Sequence, residues 1–188
     1  MAIQRVAKKT KAVRKPAAIV KKPVRRAQHV GRTIATHNTA ASTTISDYEG
    51  ARQLLSKYCS ALDNGRLDEL SLLFHRDAAF AVSFESEKKH TGRDTIRSWY
   101  GQFYQARPGQ YRHPRHKLFE PLLSMNGNIA TASTYFDSDF LDPDGNVCVI
   151  SGRYDDVLVK DEGQWFFRDR TINVLYYYSL GKGEEGMK

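Results

Sequence analysis

Long hydrophobic runs are absent from this chain of 188 residues. A membrane-spanning helix needs about 20 consecutive apolar residues, and a secretory signal needs an apolar stretch of roughly 7–15 residues after its basic start. The sequence contains neither pattern, although its N-terminal region is basic. We therefore expect a soluble, cytoplasmic protein that has no membrane partner.

Cysteine is also scarce, and the usual cofactor motifs are missing. The two cysteines, Cys59 and Cys148, each lie in an apolar stretch where a buried free thiol is common. They are too few for a disulfide framework or a zinc knuckle. The chain has no phosphate loop, dinucleotide fingerprint or nucleophile elbow. We therefore expect no cofactor and no bound metal.

Acidic side chains are missing from the first 46 residues, where eleven Lys and Arg lie between Arg5 and Arg32. The same stretch has no aromatic residue, so it cannot bury enough apolar surface to offset chain entropy. We predict a disordered basic tail over residues 1–45. Through residues 5–32 it would attract nucleic acid or another polyanion without sequence preference, but an organellar transit peptide and an inert extension also fit the composition.

Three stretches carry helical periodicity and helix start signals. The first begins with the capping box S-D-Y-E at Ser46–Glu49 and stops at Asn64-Gly65. A short helix is predicted over Leu67–Phe74. The third opens with the box T-G-R-D at Thr91–Asp94 and ends before Pro108-Gly109.

From Tyr111 onward the apolar period changes to two, and turn signals such as Asn126-Gly127 separate long strands. The predicted strands are Ala78–Phe84, Leu118–Met125, Ile129–Leu141, Val147–Val159 and Trp165–Tyr178. Helices followed by long strands predict an α+β domain over residues 46–180, in which three N-terminal helices pack on one face of a curved antiparallel sheet. Residues 181–188 are predicted to form a flexible C-terminus.

Four local motifs strengthen this outline. They are KYCSALDNGRLDELSLLFHRDAAF at Lys57–Phe80, HTGRDTIRSWY at His90–Tyr100, RHPRH at Arg112–His116 and GRYDDVLVKDEGQWFFRDR at Gly152–Arg170. In this order the motifs resemble the SnoaL-like, polyketide cyclase and dehydratase-like branch of the nuclear-transport-factor-2-like superfamily. The resemblance implies a cone-shaped fold with a pocket at its open end. Because this fold carries many functions, the pocket residues must decide the activity.

Asp63 lies four residues after Cys59 and eight after Leu55, so a regular helix turns its carboxylate toward the core. The resemblance implies that an Asp in a Tyr-x4-Asp pattern pairs with a strand His, which here are Tyr58, Asp63 and His116. We expect His116 to act as a base that Asp63 supports, with Tyr58 or Tyr135 hydrogen-bonded to the substrate oxygen that gathers negative charge. The alternative is that Asp63 caps the following turn and backbone carbonyls satisfy His116.

Other polar residues are candidate substrate contacts. Tyr135 and Asp137 share one face of their strand and would line the pocket if that face points inward. His113 is the second choice of base if the strand register differs by one, and Trp99 and Asn173 complete the set. An outward, solvated sheet face explains the polar strand residues equally well.

The last strand is unusually aromatic, since Tyr176–Tyr178 follow Trp165–Phe167. One sheet face cannot bury so many aromatic rings. The first interpretation is a homodimer or homotrimer interface on the outer sheet face, and the second is that the rings form the walls of a pocket for a flat ligand.

The function that these features favour is a cofactor-independent lyase or isomerase, dehydratase- or cyclase-like, in which a His-Asp dyad acts on a small hydrophobic cyclic carbonyl compound. One alternative is a non-catalytic small, β-type subunit of a ring-hydroxylating dioxygenase, because Arg153–Ile172 also resembles the closing strands of such subunits. Another is a ligand-binding or assembly module that its basic tail tethers to nucleic acid.

Overall fold

The structure, a computed structural model, describes residues 44–86 and 88–183. The predicted basic tail lies outside these ranges except for its last two residues, and so does its polyanion-binding stretch at residues 5–32. Most of the predicted flexible C-terminus also lies outside them. These assignments, and the domain limits that follow from them, stay predictions.

Within residues 44–86 and 88–183, three helices precede the long strands: α1 at Ile45–Asp63, α2 at Leu67–Leu72 and α3 at Arg93–Gln105. The capping box of α1 lies two residues earlier than predicted, because Thr44 is the N-cap and exchanges hydrogen bonds with Asp47. Among the described residues, no helix is long and apolar enough to cross a bilayer.

The described part of the chain has seven strands: β1 (Phe74–Val82), β2 (Lys89–Thr91), β3 (Arg112–Leu118), β4 (Leu122–Asn126), β5 (Ile129–Leu141), β6 (Asn146–Asp161) and β7 (Gln164–Lys182). They form one curved, unclosed sheet in the order β2-β1-β7-β6-β5-β3, and β4 also pairs with β5. The predicted α+β class is therefore confirmed.

The sheet is not wholly antiparallel as predicted, because β1 and β7 run parallel. Parallel neighbours require a long crossover connection, and the chain between them, which includes α3 and five strands, supplies it. The predicted strand over Leu118–Met125 starts too early, because Leu118 ends β3 and β4 begins only at Leu122. β3 and β4 lie along successive parts of β5, and the break between them contains Pro121, which has no N–H to donate to a ladder.

Side chains of β5 alternate between two environments. The even-numbered residues, such as Phe136 and Phe140, are buried on the inner face of the sheet, which the helices cover. The odd-numbered residues, such as Tyr135, point to the outer face, where Tyr135 is 52% exposed. The inner face of this strand therefore holds two phenylalanine rings together with the small polar residues Thr134 and Ser138, and its two aspartates, Asp137 and Asp139, lie on the outer face. Cys59 and Cys148 are both free and buried.

A fully buried ion pair lies in the core between the helices and the sheet. Arg170 on β7 donates two hydrogen bonds of 2.8 Å to Asp156 on β6, and both side chains have 0% exposure. The guanidinium carbon lies 3.9 Å from the ring centre of Tyr58, 4.2 Å from Tyr154 and 4.0 Å from Phe167. Burial opposes its charge, but Asp156 raises the pKa of Arg170 above its ordinary value.

We predict that Asp156→Asn lowers the free energy of unfolding by about 3–5 kcal/mol, because it leaves the Arg170 cation buried without its counter-charge. Urea denaturation measures this change. Asp68→Asn is the matched control, because Asp68 pairs with Arg97 at the surface, where a lost ion pair costs less than about 1 kcal/mol. Equal, small effects of the two substitutions would contradict the prediction.

Candidate active site

A cavity of about 110 Å³ lies between α1, α3 and the inner face of the sheet. Aromatic and aliphatic side chains make up most of its lining, and no Lys, Arg, Asp or Glu lines it among the described residues. Its polar groups are the imidazole of His116, the hydroxyl of Ser138 and several tyrosine hydroxyls. Such a lining favours a small, flat, mostly apolar ligand that carries few polar atoms.

The structure brings Asp63 and His116 together at the edge of this cavity. Asp63 ends α1, and its Oδ1 lies 2.5 Å from Nδ1 of His116 on β3. Its Oδ2 accepts a hydrogen bond of 3.0 Å from the backbone N–H of His116. The two side chains are only 19% and 12% exposed. One carboxylate thus holds both the backbone and the ring of the histidine.

This geometry determines which ring nitrogen is available to a ligand. An ionised carboxylate only accepts hydrogen bonds, so Nδ1 of neutral His116 carries the proton. The lone pair then lies on Nε2, the nitrogen that Asp63 leaves free on a ring that lines the cavity. A neutral imidazole oriented in this way can act as a general base at neutral pH.

Tyr58 also lines the cavity and is completely buried. Its hydroxyl oxygen lies 2.6 Å from that of Tyr100 on α3. Burial raises the pKa of Tyr58 to about 12 and that of Tyr100 well above its usual range. Both phenols are therefore neutral at physiological pH, so one can donate a hydrogen bond to the other and still leave a proton for a ligand oxygen.

Trp99 is the last of the predicted residues that line the cavity. Its indole contacts a cluster of Glu85 and His90 that the sequence did not predict. Its Nε1–H donates a hydrogen bond of 2.8 Å to Glu85, and His90 Nε2 lies 2.7 Å from the same carboxylate. Burial opposes ionisation, but these hydrogen bonds hold the pKa of Glu85 below its usual range. Glu85 lies in a single 3₁₀ turn after β1, where no periodic pattern could have indicated it.

Four candidate residues do not reach the cavity. Tyr135 and Asp137 lie on the outer face of β5, because the inner positions of this strand hold Phe136, Ser138 and Phe140.

Asn173 alternates with the cavity residues of β7 and donates a hydrogen bond of 2.8 Å to Asp155 on β6. His113 is exposed at an irregularity of β3, with a positive φ of 52°. In this register His116 alone of the two histidines lines the cavity.

Among residues 44–86 and 88–183, no three His, Cys, Asp or Glu side chains form a group that could hold a metal ion.

The curved sheet, the helices on its inner face and the cavity between them define the class of proteins with the nuclear-transport-factor-2-like fold. Within that class, the family model of the SnoaL-like domain matches residues 43–171. The chain therefore belongs to the SnoaL-like domain family, as its motifs predicted. No curated protein matches its sequence closely enough to count as a relative.

Solved structures support the same fold. A provisionally named scytalone dehydratase from Novosphingobium aromaticivorans is 17% identical and has a TM-score of 0.63 over 76% of this chain and 96% of that one. Hexachlorocyclohexane dehydrochlorinase LinA-type3 from Novosphingobium barchaimii is 14% identical, with a TM-score of 0.62 over 72% and 90%. A protein of unknown function from Mycobacterium tuberculosis is 21% identical, with a TM-score of 0.60 over 69% and 72%. At these identities the similarity shows the fold alone.

We predict that Asp63→Asn changes the tautomer of His116. Asp63 accepts from both the ring and the backbone N–H, whereas Asn has one acceptor oxygen for these two donors. The neutral ring should therefore change from the Nδ1–H form alone to a mixture that includes the Nε2–H form. The chemical shifts of the ring nitrogens in NMR spectra report the tautomer. The ring of His90, whose partner Glu85 is unchanged, is the internal control, and an unchanged His116 would contradict the prediction.

Proposed function

We propose that this protein is a cofactor-independent lyase or isomerase that acts on a small hydrophobic cyclic carbonyl compound. The observation that carries the proposal is the contact of 2.5 Å between Asp63 and His116, on a histidine that lines an aromatic cavity. The dehydratase and the dehydrochlorinase that share its fold support the lyase class. Those similarities do not identify the substrate or the activity of this chain, which are part of the proposal.

In the proposed first step, Nε2 of His116 removes a proton from the carbon next to the substrate carbonyl, and the electron pair of the broken C–H bond forms an enolate. Asp63 stabilises the resulting imidazolium by its negative charge. The phenol of Tyr58 donates a hydrogen bond to the oxygen that gathers negative charge, supported by Tyr100.

In the second step the imidazolium returns the proton. If the proton goes to a hydroxyl leaving group on the neighbouring carbon, water departs and a double bond forms. If it goes to a different carbon, the product is an isomer. Both outcomes use the same base, so the way in which the cavity holds the ring decides between them.

The first step can be tested without knowledge of the natural substrate. A base that removes a proton next to a carbonyl should exchange that proton with deuterium when cyclohexanone or α-tetralone is incubated with the protein in heavy water. Proton NMR follows the loss of signal. His116→Ala and Asp63→Asn should each lower the exchange rate by about 100-fold or more, because they remove the base or its orientation.

His75→Asn is the matched control, since His75 lies on β1 near Asp161 and does not line the cavity. This variant should exchange at the parent rate. If the parent protein exchanges no faster than buffer, or if His116→Ala exchanges as fast as the parent, the proposed base is wrong. A non-catalytic dioxygenase subunit or a binding module would give that result.

We also propose that the protein self-associates through the end of β7. Beyond Ile172 this strand pairs with β6 and no longer with β1. Five large apolar side chains there are 42–68% exposed, namely Leu175, Tyr176, Tyr177, Tyr178 and Leu180. An exposed strand edge with apolar side chains is usually covered in natural proteins, and a second copy of the chain would cover it.

Replacement of both Tyr176 and Tyr178 by Ser should convert the homo-oligomer to monomer, because it removes two large apolar groups from the proposed contact. Sedimentation velocity measures the molecular mass directly. Tyr48→Ser, at a position on α1 that is 44% exposed, should leave the assembly intact. A parent protein that sediments as a monomer would refute the proposed contact.

A further inference from the structure

A second depression adjoins the aromatic cavity and shares part of its wall. It has a volume of about 320 Å³, and the rings of Phe84, Trp99 and Phe103 line both spaces. Phe84 is 55% exposed, so it lies at the rim between them. A ligand whose ring fills the cavity could therefore extend a substituent past these rings into the second space.

The second space, here named the basic groove, has a different chemistry. Among the described residues, Lys88, His90 and Arg107 line it together with one acidic residue, Glu85. His90 and Trp99 already occupy both oxygens of the Glu85 carboxylate. The groove thus contains the two cations Lys88 and Arg107 but only one carboxylate, that of Glu85, and this carboxylate already accepts hydrogen bonds from other residues.

Arg107 has donors left for a ligand. Its guanidinium lies 4.3 Å from the ring centre of Phe103, and its Nη1 donates a hydrogen bond of 3.3 Å to the carbonyl of the same residue. Within the described part of the chain Arg107 forms no ion pair. A guanidinium has five N–H donors in a planar fork that fits a carboxylate, so the groove presents an unsatisfied anion-binding group.

The cavity itself cannot take an anion. No cation lines it within the described residues, and the ionised Asp63 lies directly behind His116. A carboxylate that entered it would lose its hydration without gaining a counter-charge. The two spaces therefore suit opposite ends of one molecule. The cavity accepts an apolar ring, and the basic groove on the other side of the aromatic rim accepts an anionic group.

We propose that the substrate carries a carboxylate on a short arm: its ring and carbonyl enter the aromatic cavity, and its carboxylate binds Lys88 and Arg107 in the basic groove. This inference rests on the proposed function for the role of the ring. In this arrangement Lys88 and Arg107 determine substrate specificity. The ring enters the aromatic cavity with its carboxylate arm pointing toward the basic groove.

Two matched probes test the inference: 3-(2-oxocyclohexyl)propanoate, a cyclic ketone with a carboxylate arm, and its uncharged primary amide. Isothermal titration calorimetry on the full chain gives the two dissociation constants. The parent protein should bind the acid about fivefold to tenfold more tightly than the amide, and the preference should weaken as salt rises to about 0.15 M. The double variant Lys88→Gln, Arg107→Gln should bind the two probes within about twofold of each other.

Lys57→Gln is the matched control, since Lys57 lines a different depression next to α1 and should leave the preference unchanged. The predicted basic tail is present in every variant, so any preference that it contributes is the same in all of them, and the difference between the parent and the double variant reports the basic groove.

Three outcomes would overturn the inference: equal binding of acid and amide by the parent, a preference that survives in the double variant, and binding of neither probe. The deuterium exchange of cyclohexanone, which has no arm, still reports separately on His116. Failure of the basic groove is therefore distinguishable from failure of the proposed reaction.

Discussion

The buried pair of Arg170 and Asp156 is the interaction on which the interior depends. It joins neighbouring strands, and its guanidinium lies against rings from the sheet and from α1. Two of those rings, Tyr58 and Tyr154, are also part of the cavity lining. The cation therefore supports the cavity from behind, where no ligand reaches it. Loss of its partner would disturb the fold and the position of the Tyr58 hydroxyl together.

A second constraint comes from packing between β5 and β6. Gly152 lies opposite Phe136, and a Cβ at this glycine would come within 2.6 Å of the Phe136 ring. The missing side chain lets Phe136 stack on Tyr154, with ring centres 4.1 Å apart and planes 8° apart. The His116 ring lies 6.1 Å from the same phenylalanine. The wall beside the proposed base thus depends on a residue that has no side chain.

The sequence predicted the helices, most strands and the contact between Asp63 and His116, because helical periodicity identifies the buried stripe of α1 and a family motif supplied the partner. It could not say which face of β5 points inward, since strict alternation is the same for either choice. That ambiguity explains why Tyr135 and Asp137 were expected at the cavity. Arg170 and Asp156 were missed because nothing in a run of charged residues identifies the two that are buried.

Most charged and polar groups near the cavity already have partners inside the protein. Arg170 is bonded to Asp156, Glu85 accepts from two donors, and the hydroxyls of Tyr58 and Tyr100 are bonded to each other. The Nε2 atom of His116 has no partner among the contacts described, and it belongs to a ring that lines the cavity. Asp63 and His116 are 53 residues apart in the chain, and they meet only when α1 packs against β3. The orientation of the proposed base therefore depends on the tertiary packing of α1 against the sheet and not on local sequence alone.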